Sequence, residues 1–398
     1  MNEYDIAVVG GGPVGCFIAE QLASKGRHVA VFEEHKSIGE PVHCAGLVTK
    51  RVLDISKCSQ TGIVQNTIYG AVIHSPKGKT LTIGGDKIHG LVINRQKFDE
   101  HLAQKAQKAG ATLLVDHKVV TAKKQENHIN VTIQQNEQTR TVLCHLLIGA
   151  DGAHSHIRSI FGLPKPRQTL QGIGAELSDS TLDPHFVHIF VGRTIAPGFF
   201  AWAIPTNTNG TTARIGLCIE KQSPHPLHHY YTSLLKHPLL QNTMVMKRFG
   251  GTIPLGPLKK TVDDHLMLVG DAAAQVKSTS GGGLYPGLLC AMQCAKVAEE
   301  AFQEQQFDQQ FLKRYHTRWT KEIGRELSLG MRFRKLFTSF TDAQFNKYLE
   351  KLNNKKTINI INTYGDIDYP SQLALPLIRA SPSLLALAPS MIARTKKN

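Results

Sequence analysis

Asp5-Ile6-Ala7-Val8-Val9-Gly10-Gly11-Gly12-Pro13-Val14-Gly15 stands near the start of the chain and decides how it folds. An apolar run predicts a buried strand, and helically spaced apolar residues follow the turn. Gly10 permits the sharp turn, Gly12 lets the backbone approach a pyrophosphate, and Gly15 lets the helix pack against the strand. The free N–H groups at the helix start, beside Pro13, suit an anion. The stretch therefore predicts the strand–turn–helix of a dinucleotide-binding domain.

A second strand and two acids support this prediction. Val29 to Phe32 is a short apolar run, and Glu33 and Glu34 follow it directly. An acid at the end of the second strand of such a unit accepts hydrogen bonds from ribose hydroxyls. We therefore expect both glutamates at the cofactor.

Two further motifs each follow an apolar run that is typical of a strand buried in a parallel sheet. The first is Asp151-Gly152-Ala153-His154-Ser155-His156-Ile157-Arg158, and the second is Gly270-Asp271-Ala272-Ala273, after which Gly281, Gly282 and Gly283 lead into a helix. With the first turn, they resemble the three fingerprints of the para-hydroxybenzoate-hydroxylase-like flavoprotein superfamily. The resemblance implies FAD, with Asp271 at the ribityl chain, the helix after Gly283 pointing at the isoalloxazine, and Arg95 near the cofactor.

Three other segments resemble the geranylgeranyl reductase family: Pro41-Val42-His43-Cys44-Ala45-Gly46, Pro197-Gly198-Phe199-Phe200-Ala201-Trp202-Ala203-Ile204-Pro205 and Ser280-Gly281-Gly282-Gly283-Leu284-Tyr285. The family's P-x-x-Y-x-W-x-F-P motif has Phe200 in place of its Tyr and Ile204 in place of its Phe. The resemblance implies an FAD-dependent reductase that saturates double bonds of a polyprenyl chain on a lipid, a diphosphate or a quinone.

The same resemblance implies roles for individual residues. Phe200, Trp202 and Pro205 are expected to line the substrate, although ordinary sheet core is the alternative for the two aromatic residues. Cys44 and Ala45 are expected at the flavin, with Cys44 in a catalytic role, because alkene reduction needs an acid as well as a hydride. A small buried hydrophobe is the alternative for Cys44. Tyr285 is a second candidate donor.

Two other functions suit the same fold. One is a flavin monooxygenase or halogenase, and the other is a flavin electron carrier to a quinone. The sequence contains a single dinucleotide turn, so the electron donor stays open between NAD(P)H and a ferredoxin.

Composition limits the partners. The formal net charge is +15, which favours anionic partners, although a solvated basic surface is the alternative. No nucleic-acid-binding signature is present, so an anionic membrane surface and a phosphorylated substrate are the candidate partners. Arg318, Lys321 and Arg325 share one helix face that could dock there, while Trp319, Ile323 and Leu327 share another; the alternative is an amphipathic core helix.

Cysteine usage and hydropathy indicate the compartment. Seven cysteines without metal-type spacing predict free thiols in a reducing cytoplasm and no metal site. No apolar run is long enough to span a membrane, and prolines interrupt the apolar stretch Leu373 to Ala393. That stretch could lie on the inner face of the membrane or pack on its own domain.

These patterns predict α/β and α+β architecture. We expect a Rossmann-like FAD-binding domain at 1–165, with an inserted catalytic-loop segment at about 39–95, and a return to that domain at 261–302. An antiparallel-sheet substrate domain is expected at 166–260 and a C-terminal helical region at 303–398.

Overall fold

The computed structural model describes residues 2–380, so residues 381–393 of the apolar C-terminal stretch lie outside the described part. The strands are β1 (Glu3–Val9), β2 (Val29–Phe32), β3 (Leu47–Val48), β4 (Val64–Ile68), β5 (Gly70–His74), β6 (Thr80–Gly84), β7 (Gly90–Ile93), β8 (Thr112–Leu114), β9 (Lys118–Lys124), β10 (Ile129–Gln135), β11 (Gln138–Gly149), β12 (Gln168–Ser178), β13 (Phe186–Val191), β14 (Phe200–Pro205), β15 (Ala213–Glu220), β16 (Met244–Leu255), β17 (Val262–Asp263) and β18 (Leu266–Leu268). The helices are α1 (Pro13–Ala23), α2 (Lys50–Ser56), α3 (Arg95–Lys108), α4 (His156–Ile160), α5 (Leu227–Leu235), α6 (Leu284–Glu304), α7 (Gln309–Trp319), α8 (Arg325–Ser339), α9 (Asp342–Leu352), α10 (Lys355–Tyr364) and α11 (Ser371–Ala380).

An eight-stranded sheet forms the first layer. Its parallel core runs β8-β2-β1-β11-β18, and β9 and β10 extend β11 as an antiparallel pair. Residues 6–9 of β1, all of β2 and residues 146–149 of β11 have no polar side chains, because both faces of the sheet are covered there. Helices α1, α3 and α6 cover one face, where Ile18, Phe98 and Leu288 are fully buried. The carboxyl ends of β1, β11 and β18 meet at one edge, which brings the three glycine-containing motifs together.

A seven-stranded sheet runs in the order β16-β12-β15-β14-β13-β5-β6. It holds the antiparallel strands that the sequence predicts between 166 and 260. It also includes β5 and β6, which pair through β13 although they belong to the segment 39–95 that we assigned to the FAD-binding domain. Nothing in the local sequence of β5 and β6 says which sheet they join. Small strands β3, β7 and β4 form a third sheet between the two larger ones.

The C-terminal helices pack on both units. Trp319, Ile323 and Leu327 are each 1% exposed, so the amphipathic pattern there is that of a core helix. Arg318 of the predicted basic face donates two hydrogen bonds to Glu300, at 2.6 and 2.8 Å. Within residues 2–380, no helix is both long and apolar enough to cross a membrane.

Candidate functional site

The glycine-rich turn has the geometry that its sequence predicts. Gly10 has a φ of +104°, and a Cβ there would lie 2.4 Å from the Ala150 carbonyl oxygen. A Cβ on Gly15 would lie 2.0 Å from the Gly10 oxygen, whereas one on Gly12 would meet nothing within 4 Å. Helix α1 begins at Pro13, and its N-cap, Gly12, supplies no capping side chain. The first N–H groups of α1 therefore face open space that suits a pyrophosphate.

The two predicted ribose acids lie in different environments. Glu33 is half-buried, and its Oε2 accepts a hydrogen bond from the Gly11 N–H at 2.7 Å. Its Oε1 accepts from the His35 N–H at 2.9 Å. Glu34 is exposed and forms a surface ion pair with Lys118 at 3.2 Å. Glu33 is thus the acid held against the turn, while Glu34 lies at the surface.

The second motif joins the third through an arginine. Asp151 accepts from the Ile157 N–H at 2.9 Å, and burial raises its pKa. Arg158 donates to the carbonyl oxygens of Ala272 and Ala153, at 2.8 and 3.0 Å. It therefore fixes the loop after β11 against the loop after β18.

Asp271 offers a carboxylate with unused acceptors. Burial raises its pKa to about 6, and Arg95 opposes that shift. No hydrogen bond from residues 2–380 to this side chain offsets its burial, and burying a charge without such a partner is costly. A Cβ on Gly283 would lie 2.7 Å from Asp271 Oδ1, so a side chain there would displace the carboxylate. Helix α6 begins one residue later without a side-chain cap.

These features fit FAD. The unused acceptors of Asp271 match ribityl hydroxyls, and the uncapped helix start matches the negative charge that reduced flavin carries near N1. Gly152, Gly270 and Gly281 all have positive φ angles, which keeps side chains out of the same loops.

Cys44 lies beside this space. It is half-buried, and its Sγ accepts from the Gly46 N–H at 3.4 Å. Arg95 lies next to it and forms an ion pair with Asp99 at 3.0 Å. Burial lowers the pKa of Arg95, but Asp99 and Cys44 raise it by more than burial lowers it. The net pKa is therefore above the ordinary value, and the guanidinium stays charged. The structure thus brings Cys44, Arg95 and Asp271 together from three distant segments.

Arg214 is a residue that sequence reasoning missed. It comes from β15, is 5% exposed, and donates to the carbonyl oxygens of Ala45 and Ile93 at 3.3 and 3.0 Å. A Cβ on Gly46 would lie 2.4 Å from its Nη1. Arg214 therefore holds the backbone beside Cys44 from the neighbouring sheet. The available signal was a lone charge in the apolar run of β15.

The predicted substrate wall is partly open. Phe200 and Trp202 are half-buried on one face of β14, and their rings meet edge to face with centroids 6.1 Å apart. Opposite the indole, a Cβ on Gly216 would lie 2.4 Å from Trp202. Pro205 is buried, and its carbonyl oxygen accepts from Asn66 at 3.0 Å, so it ends the strand without lining the wall.

Tyr285 faces a different cluster. It is 7% exposed, and its hydroxyl is hydrogen-bonded to that of Tyr369 at 2.9 Å. Burial and Tyr369 raise the pKa of Tyr285, which makes it a weaker acid than an exposed tyrosine. A catalytic role for it stays a prediction.

Comparisons with known proteins support FAD as the cofactor. A family profile described as "FAD binding domain" matches residues 3–232. An uncharacterized protein of Methanocaldococcus jannaschii is 32% identical over 95% of this chain and 96% of its own length. A digeranylgeranylglycerophospholipid reductase of the same organism is 29% identical over 88% of this chain and 90% of its own.

A solved structure shares the fold. The geranylgeranyl bacteriochlorophyll reductase-like protein of Thermoplasma acidophilum is 24% identical, with a TM-score of 0.85 over 97% of this chain and all of that one. Because the profile covers more than half of the chain, the chain belongs to the FAD-binding domain family and is an FAD-dependent oxidoreductase.

Proposed function

We propose that this chain reduces carbon–carbon double bonds of a polyprenyl chain carried by a lipid, a diphosphate or a quinone. The observation that carries the proposal is the half-buried aromatic wall, Phe200 and Trp202, on the sheet whose Arg214 holds the Cys44 loop. Burial of each CH2 of a substrate chain contributes roughly 0.8 kcal/mol. The name of the reductase relatives supports the same substrate class.

In the proposed reduction, the cofactor and the residues of the chain have separate roles. Reduced FAD, when bound, supplies a hydride. Cys44 is our candidate to deliver the proton from its Sγ, and the thiolate left behind would be stabilised by Arg95 and the Gly46 N–H. A polyprenyl chain bound against the apolar wall would exclude water, which would strengthen these electrostatic interactions.

The first experiment is anaerobic. Photoreduced enzyme is mixed with a geranylgeranyl lipid, and the mass of the product is measured by mass spectrometry. We expect flavin reoxidation and a gain of two hydrogens per reduced bond. A gain of one oxygen in air would instead indicate a monooxygenase, and flavin that stays reduced with the alkene but reoxidises with a quinone would indicate an electron carrier.

The role of Cys44 has its own test. Cys44→Ala should retain FAD, because the pyrophosphate and ribityl partners are untouched, but lose most of its turnover, since a general acid contributes on the order of 100-fold or more. Unchanged turnover with FAD bound would rule out Cys44 as the proton donor. Cys290→Ala, at a buried cysteine of α6, is the matched control.

We also propose that the edge strand β16 contacts an anionic membrane that carries the substrate. Met244 and Met246 are 59% and 67% exposed, and Lys247 and Arg248 follow them, exposed as well. Exposed apolar side chains next to basic ones suit a lipid interface. This surface replaces the Arg318 face as the candidate, because part of that face is paired with glutamate.

A further inference from the structure

Lys277 is a buried cation that none of the motifs explains. It lies between the Gly270–Ala273 turn and the glycine loop 281–283, and it is 8% exposed. Its Nζ donates to Asp368 Oδ1 at 2.6 Å, and Asp368 is 1% exposed. Lysine is rarely buried unless it is paired, so this position has a specific partner in the C-terminal region.

Asp368 collects donors from both sides of the cofactor space. Its Oδ2 accepts from Thr49 Oγ1 at 2.5 Å and from Arg51 Nη1 at 3.1 Å. Thr49 and Arg51 follow directly on the Cys44 loop. Arg51 also donates to Asp366 at 2.8 and 2.9 Å. One carboxylate thus joins the C-terminal segment to the Cys44 side and to the glycine loop.

The ammonium of Lys277 lies against the glycine loop itself. The Lys277 carbonyl accepts from the Gly281 N–H at 2.8 Å, and the Lys277 N–H donates to the Gly282 oxygen at 3.1 Å. A Cβ on Gly282 would lie 2.9 Å from Lys277 Cε and 3.3 Å from its Nζ. The charge is therefore one residue away from Gly283, the N-cap of α6.

Stability alone does not explain such a pair. Taking two charges out of water is costly, and well-packed apolar residues of the same volume often stabilise a protein as well or better. The position of the pair behind the loop that begins α6 offers another explanation. Reduced flavin carries negative charge, and fixed protein charges nearby change the relative affinity for its two redox states.

We propose that Lys277 and Asp368 are positioning residues that set the charge at the glycine loop and thereby the preference of the site for reduced over oxidised FAD. The inference rests on the proposal that the start of α6 faces the isoalloxazine. It does not depend on the polyprenyl substrate, and its test uses no substrate, so its failure and that of the reductase proposal are distinguishable.

The test is a dye-coupled redox titration of the FAD-loaded protein. Lys277→Met leaves the Asp368 carboxylate facing the loop, so we expect the preference for reduced FAD to fall about tenfold, which lowers the midpoint potential by about 30 mV for a two-electron couple. Asp368→Asn leaves the ammonium uncompensated, so the potential should rise. The double variant should return toward the wild-type value.

The opposite shifts of the midpoint potential in the two single variants distinguish the proposal from a purely structural role of the ion pair. A purely structural ion pair predicts lower thermal stability in both single variants, with midpoint potentials that do not change or that change in the same direction. Either result for the midpoint potentials overturns the proposal. If Lys277→Met does not fold, the midpoint potential of Asp368→Asn decides the question, because it is expected to rise. Lys277→Arg is measured beside it, since this variant keeps the charge and is expected to keep the wild-type potential.

The matched control is the exposed ion pair between Lys79 and Glu350, 2.7 Å apart with side chains 48% and 65% exposed. Lys79→Met and Glu350→Gln make the same charge changes away from the glycine loop. Their midpoint potentials should equal that of the wild type. Shifts as large as those of the Lys277 and Asp368 variants would overturn the assignment to the loop.

Discussion

Arg214→Met tests whether the neighbouring sheet holds the Cys44 loop. The substitution keeps an apolar stem but removes the hydrogen bonds to the carbonyls of Ala45 and Ile93. It also removes the hydrogen bond to Gln65 Oε1 at 2.8 Å and the ion pair with Glu176 at 3.1 Å. Hydrogen bonds from a charged group contribute about 1.5–3 kcal/mol each. Glu176 is 43% exposed and stays solvated after the change, so the cost comes from the Ala45 and Ile93 carbonyls, at about 1–3 kcal/mol for each buried acceptor left unpaired.

Two measurements follow from this change. The free energy of unfolding in urea should fall by about 2–6 kcal/mol for the two unpaired carbonyls, judged against Arg140→Met on the exposed part of β11. Alkylation of Cys44 by iodoacetamide should become faster in the native protein, because its loop loses the anchor. The assay is specific because the other six cysteines are buried, and all seven lie in the described part of the chain. Native Arg214→Met with wild-type alkylation rates and stability would refute the reasoning.

Two further predictions concern the seven-stranded sheet. His74 and His188 are buried and hydrogen-bonded at 2.9 Å, with His237 beside them; burial, and then neighbouring histidines, lower the pKa of His74 to about 4. The unfolded state therefore binds more protons, so stability is full above pH 6.5 and falls toward pH 4, by on the order of 2–3 kcal/mol for His74. In His74→Phe, the free energy of unfolding measured in urea should change less steeply with pH across that range. The same pH dependence as in the wild type would contradict the assignment to His74. Met244→Ser with Met246→Ser should weaken sedimentation with anionic liposomes at low salt while the melting temperature stays the same; equal binding by the variant would remove β16 from the membrane contact.

Local backbone requirements made much of the fold predictable. The helix that begins at Pro13 and the one that begins at Leu284 both lie where the glycine spacing places them. A positive φ such as that of Gly10 is a requirement on a single residue, so a glycine shows it in the sequence even though the Cβ clash is with the distant Ala150. The three motifs could therefore be recognised separately and assigned to one FAD site.

Contacts between distant residues were beyond such reasoning. The amphipathic pattern around Trp319 suited both a membrane face and a core helix, and only the pairing of Arg318 with Glu300 and the burial of Trp319 decided between them. The local sequence of β5 and β6 likewise carried no information on the sheet that they join. In both cases the answer depended on which surface another segment covers.

The glycine spacing alone predicted a dinucleotide-binding turn at Gly10, Gly12 and Gly15, because a turn of this kind is written in a few adjacent residues. The tertiary structure decided what surrounds that cofactor. Arg214 reaches a carbonyl 169 residues away, and Lys277 reaches a carboxylate 91 residues away. No spacing rule connects such pairs, because they meet only when separate sheets and helices pack, and the energy that selects them is the cost of leaving a buried charge without a partner.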